Sequence, residues 1–585
     1  MIKIFNNQEA AIRFWKLMAF IAALFPLIFF IRAGSYEQDR WFFTLFDDAM
    51  ISMTYARTLA DTGELVWFPG AERVQGFTNL LWTLYMALLH YLGLVGTQVS
   101  ATITLTSILC LIGSSFLCAR LVSRAILQTE NQWMWGFSVA AIIPLLYPLV
   151  YWSLRGMEVG LLCFLALSTM TLSLAYENNE NRAKSKLIFT ATLLTSATGI
   201  LIRLDFVALV FVIAVLLFSL SENKKSLLLF TIAHLGVIVL ATLAVLAFQF
   251  FYFGDMVPNT YRLKVEGYAV IDRVLNGIVT IKNVAAIIFL VTASAWIALK
   301  NKHHAINKII LIASSVFLTA SAYSIWVGGD AWESSRMANR YVSVALPFAV
   351  ISIMLGAYQC CYQQDLIRKY TKVKIFFVLL GAIYLTIFIP RPDLKGLLVV
   401  PVLIALISFF CYQLYRGQKK LDYGVSQLAM IVSLLLTLVS GWGGINWLVS
   451  GGMHVKDDFE TSKRGAYLKQ VTTERAVIAT VWAGAPAYYS ERSMIDLLGK
   501  SDREIASMKP IGKIHPGHNK WNYEYSIGIL RPDVVFIIGW TLIDSDKEKL
   551  KEWGYVEKCF LNERMGYFLM RSEAIHWPLL KECKH

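Results

Sequence analysis

Charge is scarce in this chain. Only 16% of its 585 residues are Asp, Glu, Lys or Arg, where soluble domains carry about 25%. With 57% apolar residues and a mean hydropathy of +0.55, this excludes a soluble enzyme and a disordered hub. Cysteine is sparse and unpatterned. The eight cysteines include no CxxC pair and no zinc spacing, which excludes a metal ribbon, a redox motif and a disulfide-dense secreted scaffold. Six of them (Cys110, Cys118, Cys163, Cys360, Cys361, Cys411) fall within or beside apolar runs, as small core residues do. A phosphate loop is missing as well: in the GKS of 499–501 the first required glycine is Met494. No small-residue cleavage site follows the first apolar run, Trp15 to Ile31, so behind Lys3, Arg13 and Lys16 it reads as an uncleaved span. Polar residues inside the spans are few. His234 and Gln249 stand almost alone in theirs, whereas a carrier or lipid-linked sugar flippase would line its pathway with polar groups.

What the chain has in excess is hydrophobic length and positive charge, 54 − 40 = +14. Runs long enough to span, about 17 to 25 residues, occur near 15–31, 99–119, 135–152, 157–175, 187–202, 205–220, 226–252, 284–299, 309–327, 342–359, 373–389, 396–414 and 425–449. This predicts a polytopic α-helical membrane protein of about 13 spans over 1–449. The run 77–94 is also apolar, and loop charge decides its treatment. If it does not cross, 17 Lys and Arg from Arg120 to Lys420 lie in cytoplasmic loops against 10 from Arg155 to Lys395 on the far side, as the positive-inside rule favours. The run 77–94 is then interfacial or re-entrant within a first external loop, 32–98. The N-terminus is expected in the cytoplasm and the C-terminus outside. The basic excess is thereby assigned to membrane orientation, with no nucleic acid implied.

In this topology every loop of unusual chemistry (32–76, 153–158, 203–205, 253–277, 328–341 and everything after 450) falls on one extracytoplasmic face. From 450 to 585 the composition becomes that of a small three-layer α/β domain. Strands are expected at AVIATVW, SMIDLL, RPDVVFII, YVEKCFL and GYFLMR, and helices at 459–471 and 544–553. Cys559 and Cys583 are the two cysteines of this domain, and outside the cytoplasm they can bond if their Cα atoms come within about 7 Å.

Asp47 and Asp48 open a segment, ended by Gly63, that reads as an amphipathic helix lying on the bilayer. Two adjacent acids repel, which raises one pKa and suits it to accept a proton from a hydroxyl. The alternative is helix capping. The strings WSLRGMEVG (Arg155, Glu158), IRLDF (Arg203, Asp205), FGDMVPNTYRLK (Asn259, Tyr261, Arg262, Lys264) and WVGGDAWESSRMANRYV (Asp330, Arg336, Arg340) each lie at the external end of a span. An Arg there needs an anion, either a lipid phosphate gripped in forked geometry or a carboxylate, unless it snorkels to the interface. In the C-terminal part, IDLLGKSD (Asp496) and HPGHNKW (His515, His518, Trp521) read as sugar-contacting loops. The two histidines alone are a weak metal signal.

The strings DDAMISMTYARTLADTGELVWFPGAERVQGFTNLLWT, LRGMEVG, PNTYRLK, VGGDAW with a following Arg, IDLLG and PGHNKW, in that order, resemble the AftB-type arabinofuranosyltransferases of the GT-C class, which are related to pilin-arabinosylating enzymes. The resemblance covers nearly the whole chain. It implies a GT-C membrane enzyme moving a pentose, arabinofuranose, from a decaprenyl or undecaprenyl phosphate to an envelope glycan or a pilin-like protein. It also implies residence in the bacterial inner membrane and a catalytic aspartate at Asp47, with Asp48 beside it. Donor-phosphate contacts are then expected from Arg203, Arg262, Lys264, Arg336 and Arg340. Sugar or acceptor contacts are expected from Arg155, Glu158, Asn259, Tyr261, Asp330, Asp496, His518 and Trp521. No metal or other cofactor is required if Arg and Lys absorb the charge of the leaving phosphate. The chain departs from the family at Leu204, where the Arg-Pro-Asp pattern has proline. The same scaffold with another sugar, mannose or aminoarabinose (including lipid A as acceptor), is the alternative.

Overall fold

The computed structural model describes residues 8–37, 40–126, 132–178, 181–301, 304–335, 339–362, 454–536 and 544–583. The expected spans 373–389, 396–414 and 425–449, Cys411 and Arg336 lie outside the described residues. Among the described residues six helices are long and apolar enough to cross a membrane: Ile12–Ala33, Thr97–Ala125, Val159–Glu177, Ala183–Ile202, Lys224–Phe253 and Ala305–Trp326. A broken pair, Gln132–Leu145 and Tyr147–Leu154, bends by 53° and makes a seventh. Pro144 and Pro148 sit at this break, where each removes a backbone N–H that a continuous helix would need. The apolar runs 205–220, 284–299 and 342–359 are the shorter helices Phe206–Leu220, Ala285–Lys300 and Leu346–Tyr362. The helix within 77–94 is Leu80–Tyr91, 12 residues. At 1.5 Å per residue it rises about 18 Å, too little for a hydrocarbon core of about 30 Å. The chain is thus a polytopic helical membrane protein carrying a C-terminal α/β domain.

That domain holds a five-stranded sheet of order β4-β3-β5-β7-β6, built from β3 (Val477–Thr480), β4 (Ser493–Asp496), β5 (Val534–Phe536), β6 (Tyr555–Phe560) and β7 (Glu563–Leu569). The first three are parallel, and β7 and β6 close the sheet antiparallel. Alternation along the strands sends Ile478, Met494, Val534 and Phe568 to one face, and Ala479, Ile495 and Val535 to the other. Leu550 of helix Asp544–Glu552 covers the second face. On the first face, helix Val455–Val471 shares the work with the first loop, whose Ile51, Tyr55, Leu65, Trp67 and Phe77 belong to the same apolar core. A short hairpin, β1 (Gly34–Glu37) and β2 (Arg40–Phe43), which the sequence did not announce, leads from the first span into that loop.

The helix Asp47–Thr62, expected to lie on the bilayer, is instead enclosed. Ala49, Met50, Ile51, Met53, Tyr55 and Ala56 are all buried, because one face packs on the helix bundle and the other on the C-terminal domain. The strongly amphipathic interfacial helix is Val270–Thr280. It buries Arg273 and exposes Val270, Ile271, Leu275, Ile278 and Val279 on one side, the pattern of a helix bedded in the headgroup boundary. Cys559 and Cys583 are bonded, with Cα atoms 5.1 Å apart, and the tail pairs beside them through Cys559 and Lys581.

Candidate active site

Helix Asp47–Thr62 is fixed at its start by Phe46, whose ring packs on Trp152 and Trp332 and whose N–H bonds to Arg155 O at 2.9 Å. The two acids that follow point to different bodies. Asp47 turns to the C-terminal domain, where its Oδ1 accepts from Gly484 N at 3.2 Å and Ala485 N at 2.8 Å. The approach is close enough that a Cβ on Gly484 would lie 2.0 Å from Asp47 O, so only glycine fits there. Burial pushes the Asp47 carboxyl up to about 6, against the pull of Lys500 and the Ala485 N–H. Asp48 lines a polar cavity of about 620 Å³. Its Oδ1 meets Lys500 Nζ and its Oδ2 meets Arg340 Nη1, both at 2.8 Å. Burial alone would raise this carboxyl, but the charges of Lys500 and Arg340 outweigh it and hold Asp48 well below the usual carboxylate range.

Among the described residues four cations line this cavity, Arg203, Lys264, Arg340 and Lys500, with Asp48 as the one carboxylate. Arg340 is aimed by Asp330, which its Nε reaches at 2.9 Å. Arg203 follows helix Arg182–Ile202 in extended conformation, and the turn forms with Leu204 at the position where the resemblance implied proline. Its guanidinium is shared between Asp205 and Glu158, the latter at 2.7 Å, and lies over the Tyr341 ring. A buried relay runs on from Glu158: Asn79 Nδ2 donates to it at 2.8 Å, and Ser52 Oγ donates to Asn79 Oδ1 at 2.8 Å. Lys264 Nζ donates to the Tyr341 hydroxyl at 2.6 Å. His518 closes the wall near Lys500, and burial, then the Lys500 charge, push its imidazole down to about 3, so it is neutral at physiological pH. A second pocket of about 380 Å³ shares Arg203 and Tyr341 with the first and is otherwise mostly apolar, with Leu162, Phe206, Leu209, Ala320 and Val344 in its wall.

Other expected site residues hold the bodies together. Arg155 is fully buried; it donates to Thr44 O at 2.8 Å and pairs with Asp458 of the C-terminal domain at 2.5 Å. Asn259 Nδ2 binds the carbonyls of Gly499 and Asp502 at 3.3 and 3.2 Å, and Asp496 accepts from Leu498 N and Ser501 N, so both shape the turn that presents Lys500. Arg262 pairs with Asp255, Tyr261 is half-buried on the same short helix, and Trp521 packs on the second face of the sheet. None of these line the cavity. Among the described residues no three His, Cys, Asp or Glu side chains come together as metal ligands.

Lys500 and Asn79 carry much of the geometry and were missed in the sequence. Lys500 follows the end of β4, and Gly484–Ala485 follows the end of β3. The carboxyl ends of adjacent parallel strands are where open α/β sheets place ligand-binding loops, and here they face the membrane bundle. The only sequence signal for Lys500 was the GKS string, dismissed there as a phosphate loop.

Residues 453–573 match a family model described as a domain of unknown function (DUF8728). No curated protein matches the chain. Among solved structures, ArnT from Cupriavidus metallidurans bound to undecaprenyl phosphate is similar at 12% identity and a TM-score of 0.45, covering 83% of this chain and 87% of that one. The arabinosyltransferase EmbB from Mycobacterium smegmatis is similar at 13% identity and TM-score 0.42, over 74% of this chain and 43% of that one. The oligosaccharyltransferase AglB from Archaeoglobus fulgidus is similar at 12% identity and TM-score 0.46, over 83% and 64%.

Proposed function

We propose that the chain is a membrane glycosyltransferase of the GT-C class that moves a pentose, arabinofuranose, from a polyprenyl-phosphate donor to an envelope glycan or protein acceptor. The observation that carries this reading is the cavity at the end of the helix bundle, whose wall holds four cations, two of them paired with Asp48. Guanidinium and ammonium groups there suit a phosphodiester. The adjoining apolar pocket, which shares Arg203 and Tyr341, suits the first isoprene units of its lipid. Asp48 is the carboxylate within reach of an acceptor hydroxyl and is assigned the general base; Asp47 is assigned the anchor of the C-terminal domain. Arg203, Lys264, Arg340 and Lys500 are assigned to the phosphate, and His518, Asn79 and Ser52 to the sugar or acceptor. Cationic side chains absorb the charge of the leaving phosphate, so this chemistry requires no metal. The proposed placement is the bacterial inner membrane, with the N-terminus in the cytoplasm and the C-terminal domain in the periplasm.

The test is release of polyprenyl phosphate by the purified full chain in detergent, given donors carrying labelled arabinofuranose, mannose or aminoarabinose. Release from the arabinofuranose donor alone supports the proposal. Release from another donor alone reassigns the sugar, and transport in vesicles without release from any donor replaces the enzyme by a flippase.

A further inference from the structure

Arg203 and Arg340 each have a carboxylate of their own behind the cavity wall, Glu158 and Asp205 for the first and Asp330 for the second. Lys500 differs. Among the described residues its ammonium has one carboxylate within ion-pair distance, that of Asp48. Asp48 therefore bridges cations from two separate parts of the chain, the 328–341 loop and the C-terminal domain, with one oxygen on each at 2.8 Å. A monoanionic carboxylate presenting two oxygens to two cationic donors offers the same charge and the same hydrogen-bond acceptors as the non-bridging oxygens of a phosphodiester. Lys500 and Asp48 are both largely shielded from water, with side chains 9% and 14% exposed. Neither can exchange its partner for solvent cheaply, because an unpaired charge in such a place is costly.

We propose that the donor phosphate and Asp48 compete for Lys500 and Arg340, so that seating the phosphate is what releases Asp48 to act as base. The inference rests on the polyprenyl-phosphate reading above, with Lys500 and Arg340 as phosphate cations, and adds their exchange between Asp48 and the phosphate. With both cations turned to the phosphate, Asp48 is no longer neutralised and its affinity for a proton rises. The acceptor O–H then gives its proton to Asp48 as the acceptor oxygen bonds to the sugar C1. The C1–O bond to phosphate breaks, and its electron pair leaves with the phosphate monoester, whose added negative charge rests on Lys500 and Arg340. Before the donor arrives the base is tied up, which couples proton transfer to a filled donor site.

The prediction runs against intuition, since the base-dead variant should hold the lipid phosphate better than the native protein. Undecaprenyl phosphate is titrated into the purified full chain in detergent, using native protein, Asp48→Asn, Lys500→Met and the double variant. Asp48→Asn should bind at least about fivefold more tightly than native, the lower end of typical coupling between sites. Lys500→Met should bind more weakly, and in that background Asp48→Asn should gain less. Unchanged or weaker binding by Asp48→Asn, with native protein binding normally, overturns the competition alone; no binding by any of the four overturns the donor reading itself. If Asp48→Asn does not fold, infrared difference spectra of native protein decide the matter. Addition of the lipid phosphate must perturb a carboxylate stretch, and an unperturbed carboxylate region refutes the proposal.

Discussion

Replacing Asp47 by Asn keeps the shape of the side chain and removes one buried charge. The Oδ1 that accepts from Gly484 N and Ala485 N has a counterpart in asparagine, so the anchor of the C-terminal domain survives. The electrostatics change. Folded Asp47 titrates at about 6 against 3.8 for the free group, so the folded chain binds this proton more tightly than the unfolded one. Stability is therefore lost as pH rises between those two values, and above about 6 the ionised carboxylate carries a constant cost. About two pH units at 1.36 kcal/mol each set that cost near 3 kcal/mol. Asparagine cannot ionise, so at pH 7.5 Asp47→Asn should be more stable than native by up to about 3 kcal/mol, and the advantage should vanish below pH 4. Thermal unfolding followed by tryptophan fluorescence in detergent, from pH 4 to 8, reads this directly. Asp458, which burial pushes up to about 7 beside Arg155, adds its own pH dependence to both proteins, so the difference between the two curves is the quantity to compare. Transfer should persist in Asp47→Asn and fall about 100- to 10,000-fold in Asp48→Asn, the range for removing a general base. A variant less stable than native at pH 7.5, or as inactive as Asp48→Asn, refutes the division of labour between the two acids.

Three further outcomes are expected. Arg340→Lys leaves one nitrogen to serve both Asp330 and Asp48, which the arginine reaches with separate donors; the loss of a charged hydrogen bond should lower transfer roughly 10- to 100-fold, and full activity would place the phosphate elsewhere. Arg155→Met strands the buried carboxylate of Asp458, which should cost about 3–5 kcal/mol; the double variant Arg155→Met with Asp458→Leu should recover most of it, and a failure to recover would mean that the pair does more than balance its own charge. Cys559 and Cys583 should resist thiol labelling in unreduced, denatured protein and react after reduction, while Cys110, Cys118 and Cys163, which are free, should label in both; labelling of Cys559 or Cys583 without reduction would remove the crosslink.

Hydrophobic length and local pattern were enough to place the six long apolar helices from Ile12–Ala33 to Ala305–Trp326, the strands at 477–480, 493–496 and 534–536, and the end of helix Asp47–Thr62 at Gly63, whose αL conformation bonds back to Leu59 O. These are properties of segments, fixed by side-chain periodicity and by backbone freedom at single positions. The chemically unusual loops were legible too, because Arg and Asp at the ends of apolar runs must find partners wherever the chain goes. Which partner each one finds was not legible. Arg155 and Arg203 carry the same local signal, yet the first closes a latch to Asp458, 303 residues away, while the second lines the cavity. Asp47 and Asp48 are neighbours in sequence, and on a helix successive side chains point about 100° apart, so a single residue separates an interdomain anchor from a base candidate. The GKS string marks Lys500 but not its role, which depends on a carboxylate 452 positions away, and contacts of that range exist only once the C-terminal sheet has docked its strand ends against the membrane bundle.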